Sequence, residues 1–164
     1  MQPLYDPDAV RPMWEGLAAC GVTPLRSAQE VDEALAQKGT TLVMVNSVCG
    51  CAGGIARPGV MLALQHKIIP DQSTMVFAGV DREATERARE RMVGIAPSSP
   101  SIALFKDGAL VHTLERRHIE RMTDQEVAQN LSLAFEQSCE RQGPSVAPET
   151  YQKAKATQFP LYKG

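Results

Sequence analysis

The residues best suited to chemistry are two cysteines one position apart, Cys49 and Cys51, with Gly50 between them. The run Leu42, Val43, Met44 and Val45 leads into them, after the polar pair Thr40 and Thr41. A short, continuous apolar run of this kind predicts a strand buried on both faces. A helical pattern follows Cys51, so both sulfurs fall at a strand-to-helix junction. Free N–H groups and the helix dipole there favour an anion. A thiolate is such an anion, and a cysteine so placed typically ionises at roughly 3.5–7.5 rather than about 8.5. Spacing adds a second inference. Two residues of extended chain span at most about 6.6–7.2 Å, whereas disulfide Cα atoms usually lie about 4.4–6.8 Å apart. A bridge therefore needs a sharp bend at the middle residue, and glycine is the residue best able to make it. The small ring is expected to be strained and easily reduced, as suits an exchange disulfide. Two other roles fit the same residues: a pair of buried structural thiols, or half of a metal site. Zinc takes about four ligands, and Cys20, Cys139, His66, His112 and His118 form no second ligand pair by spacing.

The elements that position this junction can be read in order. Asp6-Pro7 opens a helix, with Asp as cap and Pro in the first turn. Val10, Met13, Trp14 and Leu17 recur at helical spacing up to a stop at Gly21; Cys20 ends this helix as a packing residue. Val22–Leu25 is a short strand. Ser27 and Glu30 form a capping box for a helix through Val31, Ala34 and Leu35 to Gly39. The buried strand spans about 41–48. After Cys51 a helix carries Ile55, Val60, Met61 and Leu64, bent by Pro58 inside it. Ser73–Val80 is another strand, and Asp81 caps a charged helix that ends near Gly94. Pro97-Ser98-Ser99-Pro100 breaks the chain before the strand Ser101–Phe105. Lys106-Asp107-Gly108 turns tightly into Ala109–Leu114. The charged segment Glu115-Arg116-Arg117-His118 precedes a capping box at Thr123 and Glu126, and a final helix runs through Val127, Leu131, Leu133 and Phe135 to Cys139.

From about residue 140 the character changes, and the chain divides into a body, 1–139, and an extension, 140–164. The extension is too polar and proline-broken to be a domain. Its Tyr151, Phe159, Leu161 and Tyr162 are candidates to dock on the body or on a second copy, making a homodimer. The whole chain has 164 residues, 43% hydrophobic and 22% charged, with a net charge of −2. That length supports a core without disulfide staples, and the charge gives no argument for nucleic acid or acidic membranes as partners. No apolar stretch approaches the roughly 20 residues of a membrane span, and Met1-Gln2-Pro3-Leu4-Tyr5-Asp6 lacks the regions of a signal peptide. The expected location is the cytoplasm, where four cysteines point to redox chemistry or metal rather than to a stapled scaffold.

Right-handed crossovers make the first three strands parallel, with the hairpin adding two at one edge. This is the thioredoxin-like arrangement: a mixed central sheet flanked by helices, with an extra N-terminal helix and a C-terminal tail. Ser99-Pro100 before a strand, then Phe105-Lys106-Asp107-Gly108, resembles the thioredoxin segment whose cis-proline faces the reactive cysteine, although an ordinary loop proline fits the same residues. The resemblance extends further. Val45 through Gly53, with Ala56-Arg57-Pro58 after it and Ala96 through Ser101 downstream, is similar to the bacilliredoxin family from about residue 5 to Cys139. That resemblance implies a nucleophile at Cys49 and a resolving thiol at Cys51. It implies as substrates client proteins in mixed disulfide with a low-molecular-weight thiol such as bacillithiol, and it calls for no cofactor or metal. Candidate substrate-binding residues are Gly50, Ser99, Pro100, Arg117 and His118. If the last strand runs parallel to the one before Cys49, Arg116, Arg117 and His118 come to the sulfur edge, where they can hold carboxylates of a small thiol. A solvated charged loop is the alternative. Arg57 can neutralise a carboxylate or simply cover the core. A general disulfide reductase or isomerase, and a metal or iron–sulfur carrier, are the rival functions.

Overall fold

The computed structural model describes residues 1–156. Asp6 caps α1 (Pro7–Val10) by accepting the Asp8 N–H at 2.9 Å. The single N-terminal helix of the sequence reading is in fact divided. Pro12, which has no N–H to give, opens a new helix, α2 (Pro12–Ala19). After β1 (Val22–Pro24), the Ser27 hydroxyl accepts the Glu30 N–H at 3.1 Å to start α3 (Ala28–Leu35), which stops short of Gly39. Then come β2 (Thr40–Asn46), a π-helical turn (Ala52–Ala56) that runs straight into α4 (Arg57–Ala63), and the two-residue β3 (Ile68–Ile69). β4 (Gln72–Phe77), α5 (Arg82–Arg91), β5 (Ser101–Lys106), β6 (Ala109–Leu114), the one-turn α6 (Arg116–Ile119) and α7 (Asp124–Ser138) complete the body. β7 (Arg141–Gln142) and α8 (Pro148–Ala156) follow.

The five-stranded sheet has the order β1-β4-β2-β5-β6. β1, β4 and β2 are parallel, and β5 is antiparallel to both β2 and β6, so β6 runs with β2. The β5–β6 turn has positive φ at Asp107 (50°) and Gly108 (80°), as the favoured two-residue hairpin turn requires. β2 is buried at every position. Its alternating side chains divide between two cores. Leu42 and Met44 pack with Met75, Phe77, Ile102 and Leu104 under α2, α4 and α7; Val43 and Val45 pack with Val76, Ala103 and Phe105 under α3 and α5. Each fully buried side chain of this size stabilises the fold by about 1.5–3 kcal/mol. This is the thioredoxin-like fold expected from the sequence.

The helix after Cys51 is where local structure departs from the simple pattern. Pro58 cannot donate to the carbonyl four residues back, so the ladder is broken there in any case. The chain accommodates this with a wider turn, in which the Arg57 N–H reaches back five residues to the Ala52 carbonyl. Beyond it, Gly59 lets α4 and α7 touch: a Cβ there would stand 2.6 Å from Val127 Cγ1.

The extension has more structure than its composition suggests. β7 pairs antiparallel with β3, the Ser145 hydroxyl donates to the Cys20 carbonyl at 2.7 Å, and α8 lies against α2 and α4. Tyr151 and Ala154 are buried on the chain's own body. Phe159, Leu161 and Tyr162 lie outside the described residues. Among the described residues no helix is long and apolar enough to cross a membrane.

Candidate active site

The junction is built from the end of β2 downward. Asn46 is completely buried and anchors the exit of the strand: its side-chain amide donates to the Met13 carbonyl (3.1 Å), and its Oδ1 accepts the Ser47 N–H (2.9 Å). Ser47 then folds back over the next two residues. Its Oγ accepts the Cys49 N–H at 3.3 Å and donates to Cys49 Sγ at 3.2 Å, a short side-chain-to-backbone turn of the kind serine favours. Both cysteines are free thiols at intermediate burial, and their sulfurs lie 3.0 Å apart.

This geometry splits the two acidities. Burial pushes the Cys49 thiol up. The Cys51 thiol, the Ser47 hydroxyl and the Ala52 N–H all hydrogen-bond to its sulfur, and the Arg116 charge adds to them, so the net shift is downward. Cys51 goes the other way, pushed up to about 11 by burial and then by the hydrogen bond and the charge of Cys49; Arg116 opposes this. When the pair gives up one proton, Cys49 therefore loses it and Cys51 keeps its own, forming a hydrogen-bonded thiol–thiolate couple.

Gly50 stands between two free thiols in this structure. Its φ is not positive, and a Cβ there would meet nothing within 4 Å. In the dithiol state the bend comes from the start of the helix, not from glycine's conformational freedom.

The Ser99–Pro100 peptide bond is cis. Pairing of Val45 with Ser101 sets this segment beside the end of β2. Arg116 ties the neighbouring strand to it: its N–H donates to Ser98 Oγ (3.4 Å) and its Nη1 to the Ser99 carbonyl (3.2 Å). The parallel course of β6 thus brings the charged segment to the sulfur edge, and Arg116 is the member whose charge acts on both cysteines. Arg117 is turned to Glu115, 3.1 Å away and largely exposed. His118 Nδ1 accepts the Glu115 N–H at 3.1 Å and completes the cap of α6. The other histidines are engaged elsewhere: His66 with Glu136 at 2.8 Å and His112 with Asn130 at 2.7 Å. Cys20 is fully buried, and burial pushes it up to about 11; burial also raises Cys139.

Arg57 neither covers the core from outside nor reaches a substrate carboxylate. It is 2% exposed, and its Nη1 donates to the Ser47 carbonyl (2.9 Å) and to Asn46 Oδ1 (3.1 Å). Asn46 and Ser47 were not singled out in the sequence, although a polar pair ending a buried strand immediately before a cysteine is a readable signal. The inward course of Arg57 depends on the π-helical turn and has no periodic signature.

Comparison with known proteins finds relatives over most of the chain. A family model described as disulphide isomerase matches residues 5–139. A bacilliredoxin of Staphylococcus aureus (strain NCTC 8325 / PS 47) is 48% identical over 137 residues, covering 84% of this chain and 94% of that protein. A bacilliredoxin of Staphylococcus epidermidis is 49% identical over the same coverage. Among solved structures, an oxidoreductase with a thioredoxin fold superposes with a TM-score of 0.50 at 13% identity, over 66% of this chain and 92% of that one. Oxidised thioredoxin from Plasmodium falciparum gives 0.49 at 20% identity, over 70% and 98%.

Proposed function

The chain belongs to the bacilliredoxin family, and on that footing we propose that it removes a bacillithiol-like small thiol from protein mixed disulfides, with Cys49 attacking and Cys51 resolving. As a member of that family it is a thiol–disulfide oxidoreductase. The observation that carries the finer reading is the split acidity of two sulfurs 3.0 Å apart.

In the first step the Cys49 thiolate attacks the small-thiol sulfur of the mixed disulfide. A Cys49–small-thiol disulfide forms, and the client sulfur leaves as a thiolate and takes up a proton. Cys51 cannot compete for this step, because it holds its proton as long as Cys49 is charged. Once Cys49 is capped, its anion is gone, and with it two of the causes that raise Cys51. Arg116 then favours ionisation of Cys51 without opposition from Cys49. The new thiolate attacks Cys49 Sγ, the Cys49–Cys51 bond forms, and the small thiol leaves. The enzyme ends oxidised by two electrons, which two further small-thiol molecules or one dithiol reductant must return.

In this reading Gly50, Ser99, Pro100, Arg117 and His118 line the approach to the sulfurs, and Arg116 joins them as a cation for small-thiol carboxylates. Clients are folded proteins carrying the small thiol, in a reducing compartment such as the cytoplasm. Residues 1–139 form the exchanging body; residues 140–164 are an extension that can meet a second copy. The rival reading, a general disulfide reductase or isomerase, draws support from the same short sulfur–sulfur distance. The test is to mix Cys51→Ala and Cys49→Ala variants with a client carrying one small thiol and weigh both proteins. The expected result is a stable adduct on Cys51→Ala and no transfer by Cys49→Ala. Transfer by Cys49→Ala rules the reading out.

A further inference from the structure

Arg57 is a buried cation without an acid. Its side chain is 2% exposed, and none of the ion pairs among the described residues includes it. Its partners are the Ser47 carbonyl and Asn46 Oδ1, both neutral, and its Nε is buried with no partner. A buried guanidinium without a counter-charge costs several kcal/mol, so the fold should contain its anion. The surroundings leave one candidate. The guanidinium lies against the turn at Gly53, two residues after Cys51: a Cβ there would stand 2.8 Å from Arg57 Nη2. Ser47, whose carbonyl Arg57 holds, is also the residue whose hydroxyl donates to Cys49 Sγ. Burial pulls Arg57 down to about 10, still protonated at neutral pH, and the charge that opposes this pull is that of Cys49.

We propose that Arg57 is the positioning residue of the thiol exchange, holding the Ser47 turn from beneath and supplying the buried counter-charge to Cys49 Sγ in the dithiol state. The role differs from that of Arg116, whose half-exposed charge is screened by solvent and by Glu120. It also has a redox consequence. Forming the Cys49–Cys51 bond removes the anion and leaves Arg57 uncompensated, so the dithiol is favoured over the disulfide while Arg57 is present. The inference rests on the reading of Cys49 as the attacking sulfur.

The test uses Arg57→Gln, which keeps donors for Ser47 and Asn46 but loses the charge, and Arg57→Lys, which keeps the charge. Alkylation of Cys49 is followed against pH, and the dithiol–disulfide equilibrium is measured against a simple dithiol. Arg57→Gln should move the alkylation profile to higher pH by about one unit, slowing reaction near neutrality about ten-fold, and should shift the equilibrium toward the disulfide. Arg57→Lys should recover most of both. An unchanged profile in Arg57→Gln, or equal impairment in Arg57→Lys, overturns the proposal. Should either variant fail to fold, the charge on the other side of the pair decides. With Arg57 intact, Cys49→Asp should melt above Cys49→Ser, because a carboxylate replaces the missing anion; the reverse order overturns the proposal. None of these readouts uses a client or a small thiol, so failure of the de-thiolation reading is seen separately.

Discussion

Ser47 offers the most direct handle on the nucleophile at the scale of a single residue. It donates to Cys49 Sγ, and a hydrogen bond to a charged group contributes about 1.5–3 kcal/mol. Ser47→Ala should therefore raise the Cys49 pKa and slow its alkylation near pH 7 on the order of ten-fold, with little change in the rate reached at high pH. A profile that does not move would mean that the hydroxyl is not supporting the thiolate. Gly50 makes the opposite prediction. Open space surrounds it and its φ is not positive, so Gly50→Ala in the reduced protein should keep or slightly raise the melting temperature, by about 0.5–1 kcal/mol of stability. A large drop would contradict the helical bend described here. The thiols also set a pH dependence. Cys20 and Cys51 ionise near about 8.5 in an unfolded chain but near about 11 in the fold. Above the lower value the unfolded chain sheds protons that the fold retains, so stability should fall as pH rises from about 8.5 to 11. Cys49 acts with the opposite sign: its contribution is complete above about 8.5 and is lost as pH falls through its lower folded value. Thermal melts across this range should show the alkaline loss, and Cys51→Ala should reduce it; a flat alkaline limb would count against the raised thiols.

Among the elements, the helix that follows the cysteines is held by one close approach. A Cβ on Gly59 would overlap Val127 and come within 3.1 Å of the Asp124 carbonyl, so Gly59→Ala should separate α4 from α7 and cost about 1–3 kcal/mol. An unaltered melting temperature would show that the two helices slide freely. Helix α8 is testable through its one large buried residue. Tyr151 packs over α2 near Cys20, and Tyr151→Ala should cost about 3 kcal/mol and make Cys20 reactive toward alkylating agents, leaving Cys49 unchanged. Continued protection of Cys20 would contradict the docking. These two elements also mark the limits of legibility. α7 was plain in the sequence, because a capping box and fifteen residues of helical spacing act together. α8 was hidden because only Tyr151 and Ala154 enter the core, and β3 and β7 because two residues carry no period. The break at Pro12 and the π-helical turn are backbone adjustments to proline that hydrophobic spacing does not encode.

For the whole molecule, the sheet was readable because β2 is apolar without interruption and because crossover handedness leaves few arrangements once the strands are in order. The same reasoning carried β6 to the sulfur edge and with it the charged segment; which arginine faces the thiols depended on side-chain geometry, and it is Arg116 that turns inward. The cysteine pair was legible as chemistry, whereas its electrostatic frame was not. Asn46, Ser47 and Arg57 act through hydrogen bonds under a turn, and such contacts leave no spacing signature. The account comes down to which sulfur reacts first. The measurement that tests this most directly is rapid acid quenching of the wild-type protein during its first turnover with a client carrying a small thiol, followed by fragmentation mass spectrometry of the peptide containing both cysteines. The account predicts that the small thiol appears first on Cys49 and then gives way to the Cys49–Cys51 disulfide. An adduct on Cys51, or an internal disulfide formed with no preceding adduct, would contradict it.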